Sequence, residues 1–350
     1  MRQGKESYQN VCRESPETRL LGMISAVWMA RIIYFAVKND LFRKIENGVS
    51  VNSIANELKV PCEHILRLLR GLEHLELIIE DENAQFELTD LGARLLPGAR
   101  GRLADMAILW GEEFHQAWSA LPAAIGTAAT PFEHVFAEPL FSYLATRPVV
   151  AARFNDAMTG IAELLYPQIA RALTWSNCHQ VIDVGGGNGF LLSTLLSAHK
   201  HLRGTLFDLA PVVNQARAIS RSADLDSRLS FCAGDFFQGV PAGADCLILS
   251  NVLHDWKDTE AREILLNCRR AMLPHCKLVV VEMSLGGAQE PLLARSTDLN
   301  MLTLTGGKER TLAQFQALFS SADLRLDDVV NLCDMTTAIV AHTIQALPRI

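Results

Sequence analysis

Two groups of residues in this 350-residue chain have types and spacings that could do chemistry. The first is Asp183-Val184-Gly185-Gly186-Gly187-Asn188-Gly189, preceded by the apolar pair Val181-Ile182. An apolar run ending in glycines reads as a strand turning sharply into a helix, where α/β proteins cradle cofactors. Glycine lets the backbone take positive φ and approach a ligand with no Cβ between them. The dinucleotide spacing fails, because the sixth position counted from Gly185 is Phe190, and no Lys-Ser or Lys-Thr pair follows to grip a phosphate. Asp183 would repel a pyrophosphate and favour a cation. Asp208, closing the next apolar run, is placed to accept hydrogen bonds from a ribose diol. An adenosyl ligand with positive charge and no phosphate chain meets these conditions, and S-adenosylmethionine is the leading candidate.

The second group is His254 with two acids, Glu282 and Glu309, each following an apolar or glycine-rich stretch. Imidazole titrates near 6.5 and a phenol near 10, so complete proton transfer before attack on an electrophile would cost about 5 kcal/mol. That is tolerable if transfer is concerted with attack and positive charge stabilises the developing oxyanion. A carboxylate partner would raise the basicity of His254 and fix its tautomer. Glu309 taken alone reads more simply as the partner of Arg310 or Lys308 at a helix start, and Asp255 and Asp258 as helix-start acids. Asp235, followed by Phe236 and Phe237, offers an acid and ring faces of the kind an adenine requires. The eight cysteines show no CxxC pair and no Cys/His metal spacing. They read as buried thiols of a reducing compartment, the cytoplasm, and no metal is expected.

The elements that must position these groups follow from the alternation of β-rich apolar runs with helical stretches after residue 180. Strands are expected at Gln180–Val184, Gly204–Asp208, Leu229–Ala233, Cys246–Leu253 and Lys277–Met283, in a parallel sheet flanked by helices. Ligands lie beyond the carboxyl ends of such strands, where Asp183, Asp208, Asp235, His254 and Glu282 fall. Upstream, Met106–Leu121 is expected as one helix whose Trp110 and Phe114 are candidates for a substrate pocket, although an aromatic stripe at this spacing reads more simply as core. Val149–Leu173, with a break at Pro167, adds Phe154 and Met158. Asp255 and Met301 complete the candidate lining.

The N-terminal third has a different pattern. Leu20–Val37 is nearly all apolar, but Arg31 interrupts it and the charges before it are mixed, so a buried subunit interface is expected there rather than a membrane span or secretory signal. Val51–Leu58, Glu63–Glu76 and two short β-runs around residues 77–79 and 86–89 read as helix-turn-helix plus wing. The wing, Ile78 to Asp90, carries five acids and no Lys or Arg. The whole chain has net charge −7. DNA affinity depends on basic contacts, so a regulator that reads nucleic acid is disfavoured.

In combination these motifs resemble the S-adenosylmethionine-dependent O-methyltransferases of the plant caffeic acid and hydroxyindole type, including bacterial members that modify phenazines and aromatic polyketides. Asp183–Gly189 looks like the family's cofactor loop, Phe207-Asp208-Leu209 its ribose acid, Gly234-Asp235-Phe236-Phe237 its adenine motif, and His254-Asp255-Trp256 its catalytic triplet. The likeness spans nearly the whole chain. It implies a winged-helix dimerisation domain over 1–105 and a Rossmann-like class I methyltransferase domain over 106–350, with pocket helices in 106–175. It further implies a homodimer, a small hydroxylated aromatic substrate, and His254 as base flanked by Glu282 and Glu309. Asp183, Gly185, Gly187, Asp208, Leu209, Asp235, Phe236 and Ser250 would lie on the cofactor. Ser250 stands where plant members usually have lysine, which points to a microbial branch in which some relatives methylate nitrogen or carbon, hydroxylate or close rings.

Overall fold

The computed structural model describes residues 15–83, 85–219, 221–286, 292–333 and 336–344. Cys12 and the charges before residue 15 lie outside the described residues. The chain forms two compact units, one of residues 1–99 with 103–111 and one of residues 100–102 with 112–350. It therefore passes between units at three places, where the sequence reading set one boundary at 105.

In the first unit, helix Pro16–Lys38 begins with the Ser15 side chain accepting from the Thr18 N–H at 3.3 Å, with proline in the first turn. By length and composition this helix could cross a membrane, but Leu21, Ile24 and Trp28 lie on an exposed face at 63%, 67% and 68%. Helices Val51–Leu58 and Cys62–His74 precede an antiparallel ribbon of Ile78–Glu80 and Phe86–Leu88. Ile65, Leu69 and Leu72 recur at helical spacing and pack with Phe42, Ile54, Ile78 and Phe86 in one core. The stretch expected as one helix from Met106 is two, Leu103–Gly111 and Glu113–Ala124, broken where Glu112 turns to φ −111° and ψ −98°.

In the second unit, helix Pro148–Ala172 runs unbroken through Pro167. Proline cannot donate to the carbonyl four residues back. That carbonyl, of Glu163, is instead met by an Arg100 guanidinium nitrogen at 3.5 Å. The sheet has seven strands in the order Leu324–Cys333, Thr336–Thr343, Lys277–Glu282, Cys246–Ser250, Gln180–Val184, Arg203–Asp208 and Leu229–Ala233. The last five are parallel to one another, as the sequence predicts, but the two C-terminal strands are antiparallel, so the sheet is mixed. The strand expected to reach Leu253 stops at Ser250, because Asn251 takes φ 51° and Leu253–Asp255 forms a single 3-10 turn. Leu247, Ile248 and Leu249 are fully buried in sequence, as in a strand covered on both faces. Strand order reverses between Gln180–Val184 and Cys246–Ser250, which opens a crevice at their carboxyl ends. Of the seven described cysteines, Cys178, Cys246, Cys268 and Cys276 are buried, but Cys62 is exposed and Cys232 and Cys333 are partly so, which corrects the all-buried expectation.

Candidate active site

At the end of strand Gln180–Val184 the chain turns through Gly185, Gly187 and Gly189, with φ of 73°, 55° and 75°. A Cβ on Gly185 would come within 2.9 Å of Val252 Cγ2, so only glycine keeps this turn close against its neighbour. The Gly185 N–H donates to the Phe207 carbonyl at 2.8 Å, and the Gly187 N–H to Asp208 Oδ2 at 2.9 Å. Leu209 N–H donates to Asp208 Oδ1 at 2.7 Å, which fixes this carboxylate beside the loop. Burial holds the Asp208 carboxyl above its usual range despite those two donors. Asp183 is buried, and its Oδ2 has no partner among the described residues. Burial first, and the charge of Asp208 second, push Asp183 up to about 7. A lone buried carboxylate beside a cradle that a Cβ would fill suits a ligand bearing positive charge, and these residues fit an S-adenosyl donor.

Around this loop, Asp235 Oδ1 accepts from the Phe237 N–H at 2.9 Å, and the Phe236 ring stands edge-on to Trp256 with centroids 6.0 Å apart. Ser250 Oγ lies 2.9 Å from the Tyr166 hydroxyl, a partner that sequence reasoning did not assign. Asn188, a member of the expected cofactor loop, also has a partner that the sequence does not assign: its Nδ2 donates to Thr159 Oγ1 at 2.9 Å, which ties the glycine loop to helix Pro148–Ala172. Only packing could reveal either pairing, because the partners lie 84 and 29 residues apart in the chain.

His254 occupies the 3-10 turn, one strand over. Its Nδ1 lies 2.9 Å from Glu309 Oε1, and its backbone N–H donates to Glu282 Oε1 at 3.1 Å. A carboxylate only accepts, so Nδ1 carries a proton, and Nε2 is the ring nitrogen with no hydrogen bond among the described residues. Nε2 is 3.9 Å from Asp255 Oδ1. Burial works to lower the imidazole, but Glu309 foremost, then Asp255 and Glu282, outweigh it and raise His254 to about 10. Burial raises Glu282 to about 7 and Asp255 to about 6, against the pull of His254. Glu309 therefore pairs with His254, and it is Asp258 that takes up Arg310 and Lys308. Asp258 does open the next helix, Asp258–Ala271, whereas Asp255 lies in the turn and faces the imidazole, which corrects its reading as a helix-start acid.

The candidate pocket residues separate. Trp256 stacks on Phe141 at 6.0 Å, and Phe141 meets Phe154 edge-on at 6.4 Å, so an aromatic wall runs from the His254 turn to helix Pro148–Ala172. Met158 lies one turn further along that helix and is half-buried. Met301 is buried near the end of helix Leu292–Leu304, and its carbonyl accepts from Gly306 N–H at 2.9 Å. Phe114 is 3% exposed and fills the core rather than standing at a surface. Trp110 belongs to the first unit, where it is 51% exposed.

A glycine cradle at the reversal of a mixed seven-stranded sheet, with an imidazole–carboxylate pair beyond the end of the next strand, defines a class I methyltransferase. The O-methyltransferase domain matches residues 118–325, and the chain belongs to that family. It is similar to a phenazine O-methyltransferase of Lysobacter antibioticus, 34% identical over 93% of this chain and 96% of the relative. A 3-amino-4-hydroxybenzoate 4-O-methyltransferase of Streptomyces cremeus is 30% identical over 96% and 93%. Among solved structures, an O-methyltransferase from neocarzinostatin biosynthesis, in complex with S-adenosylmethionine and 2-hydroxy-5-methyl naphthoic acid, superposes with a TM-score of 0.79 at 29% identity, covering 90% of this chain and 95% of that one. The chain is an S-adenosylmethionine-dependent O-methyltransferase.

Proposed function

We propose that the enzyme methylates a hydroxyl of a flat aromatic secondary metabolite, with His254 as general base and no metal taking part. The observation that carries this reading is the His254 ring, held at Nδ1 by buried Glu309 with Nε2 in no hydrogen bond among the described residues, beside the wall of Trp256, Phe141 and Phe154. Bound S-adenosylmethionine supplies an electrophilic methyl group on a sulfonium. Asp183 and the Gly185–Gly187 turn hold the charged part of that donor, Asp208 and Leu209 its ribose, and Asp235, Phe236 and Ser250 its base. The aromatic wall orients the acceptor ring, and with it the hydroxyl, toward Nε2. Neutral His254 takes the hydroxyl proton as the oxygen attacks, and Glu309 balances the imidazolium that forms. An imidazole raised to about 10 is matched to a phenol near 10, so transfer to the neutral ring is close to even, and the cost at neutral pH lies in first freeing the ring of its own second proton.

The substrate class rests on the aromatic wall and on the aromatic acceptors that the relatives' names carry. The enzyme works in the cytoplasm as a homodimer joined through helix Pro16–Lys38, whose exposed apolar face is otherwise unaccounted for, and neither nucleic acid nor membrane is a partner. Replacing His254 with Ala is expected to lower turnover of an accepted phenol by about 10² to 10⁴ with donor affinity unchanged, read by mass spectrometry and calorimetry. Full turnover at neutral pH in that variant would refute the base assignment.

A further inference from the structure

Outside the residues already given roles, the least expected side chain of the second unit is Arg310. Its guanidinium is wholly buried in a chain where long charged side chains belong at the surface. A buried cation is stable only when every donor is met. Here Nη1 donates to the Leu253 carbonyl at 2.8 Å, Nη2 to the Trp256 carbonyl at 2.8 Å, and Nε to Asp258 Oδ1 at 3.0 Å. The first two carbonyls bracket His254 and Asp255 on either side. The neighbouring residues complete a seam: the Lys308 N–H donates to the His254 carbonyl at 2.8 Å, and Glu309 meets the ring. Gly307 admits this seam, since a Cβ there would strike the His254 carbonyl.

We infer that Arg310 is a positioning residue for methyl transfer: its fork fastens both ends of the His254 turn, so the imidazole stays against Glu309 with Nε2 presented to the acceptor. This rests on His254 being the base. A planar fork with donors in fixed directions can reach three acceptors at once, whereas a lysine ammonium in the same space cannot hold both carbonyls and the carboxylate in that geometry. Loss of the fork frees the turn to rotate, and a displacement of about 1 Å at a reacting group lowers a rate by up to about 100-fold. The charged and titratable groups around the ring are Glu309, Asp255 and, from strand Lys277–Glu282, Glu282, which also faces the Arg310 charge.

The test is Arg310→Lys in the full-length enzyme, with kinetics against a phenolic acceptor and nitrogen NMR of the His254 ring across pH. Expected are a 10- to 100-fold fall in kcat, KM for both substrates within about twofold, and loss of the single Nδ1–H tautomer. Unchanged ring signals, whether or not kcat falls, overturn the inference. If Arg310→Lys does not fold, Asp258→Ala decides: that carboxylate is 59% exposed, and alanine has no side-chain oxygen to accept from Nε, which leaves the fork unanchored at one end. The same ring change with a smaller fall in kcat supports the inference, and wild-type ring signals overturn it. The ring measurement does not depend on turnover, so a fully active His254→Ala enzyme would sink the base assignment without deciding what Arg310 holds in place.

Discussion

The chemistry at residue scale turns on a surplus of carboxylates. Glu309, Glu282 and Asp255 surround one imidazole, and their charge keeps His254 protonated at neutral pH. The base-competent fraction therefore grows as pH rises, and turnover should climb through the alkaline range toward about pH 10. Removing the foremost of those charges reverses the push: Glu309→Gln is expected to move the rising limb of the kcat profile to lower pH while its plateau drops about 10- to 100-fold, from a weaker base with an unfixed tautomer. A limb that stays in place would show that another group titrates.

Asp183 makes the opposite bargain between stability and binding. With a folded value near 7 and an ordinary unfolded one near 4, it binds more protons folded than unfolded, so its contribution falls as pH rises from about 4 to 7. Asp183→Asn lacks that loss, and its melting temperature relative to wild type should increase across this window while calorimetry shows weaker donor binding. A constant difference in melting temperature from pH 4 to 8 would contradict the assignment. Most of these residues were legible beforehand, because acids at strand ends and a His after a buried strand are local signals. Arg310 and the wall residue Phe141 were not, because what each touches lies far away in sequence and only packing brings it near.

Among elements, four of the five parallel strands could be read to within a residue at each end, while the strand expected to run to Leu253 stops at Ser250; its core run, residues 246–249, is apolar throughout and bounded by polar Asp245 and Ser250. The antiparallel pair escaped. Leu324–Cys333 mixes buried Leu324 with exposed Arg325, Asp327 and Asp328 as befits an edge strand, and such a pattern reads equally as loop. The continuity of helix Pro148–Ala172 escaped for a related reason, since the guanidinium compensating Pro167 comes from residue 100. The glycine turn is the element on which donor binding depends. Gly185→Ala places a methyl beside Val252 at φ 73°, a cost of about 1–3 kcal/mol for a non-glycine residue. The melting temperature should fall by several degrees and donor affinity at least tenfold; wild-type binding would show that the turn is not the cradle.

For the whole molecule, the exposed face of helix Pro16–Lys38 predicts association. Leu21→Glu with Ile24→Glu should halve the sedimenting mass at micromolar concentration, and a wild-type chain that sediments as a monomer would remove the proposed role of this helix. The threefold passage of the chain between units carries a different consequence. Neither unit is an uninterrupted stretch of gene, so no single stop codon or start codon yields one of them intact. A clone ending at 105 would cut through helix Leu103–Gly111, and one beginning at 112 would lack Gly101, whose N–H donates to Glu163 at 2.9 Å. The two units interleave along the chain, so no single cut parts them with both left whole.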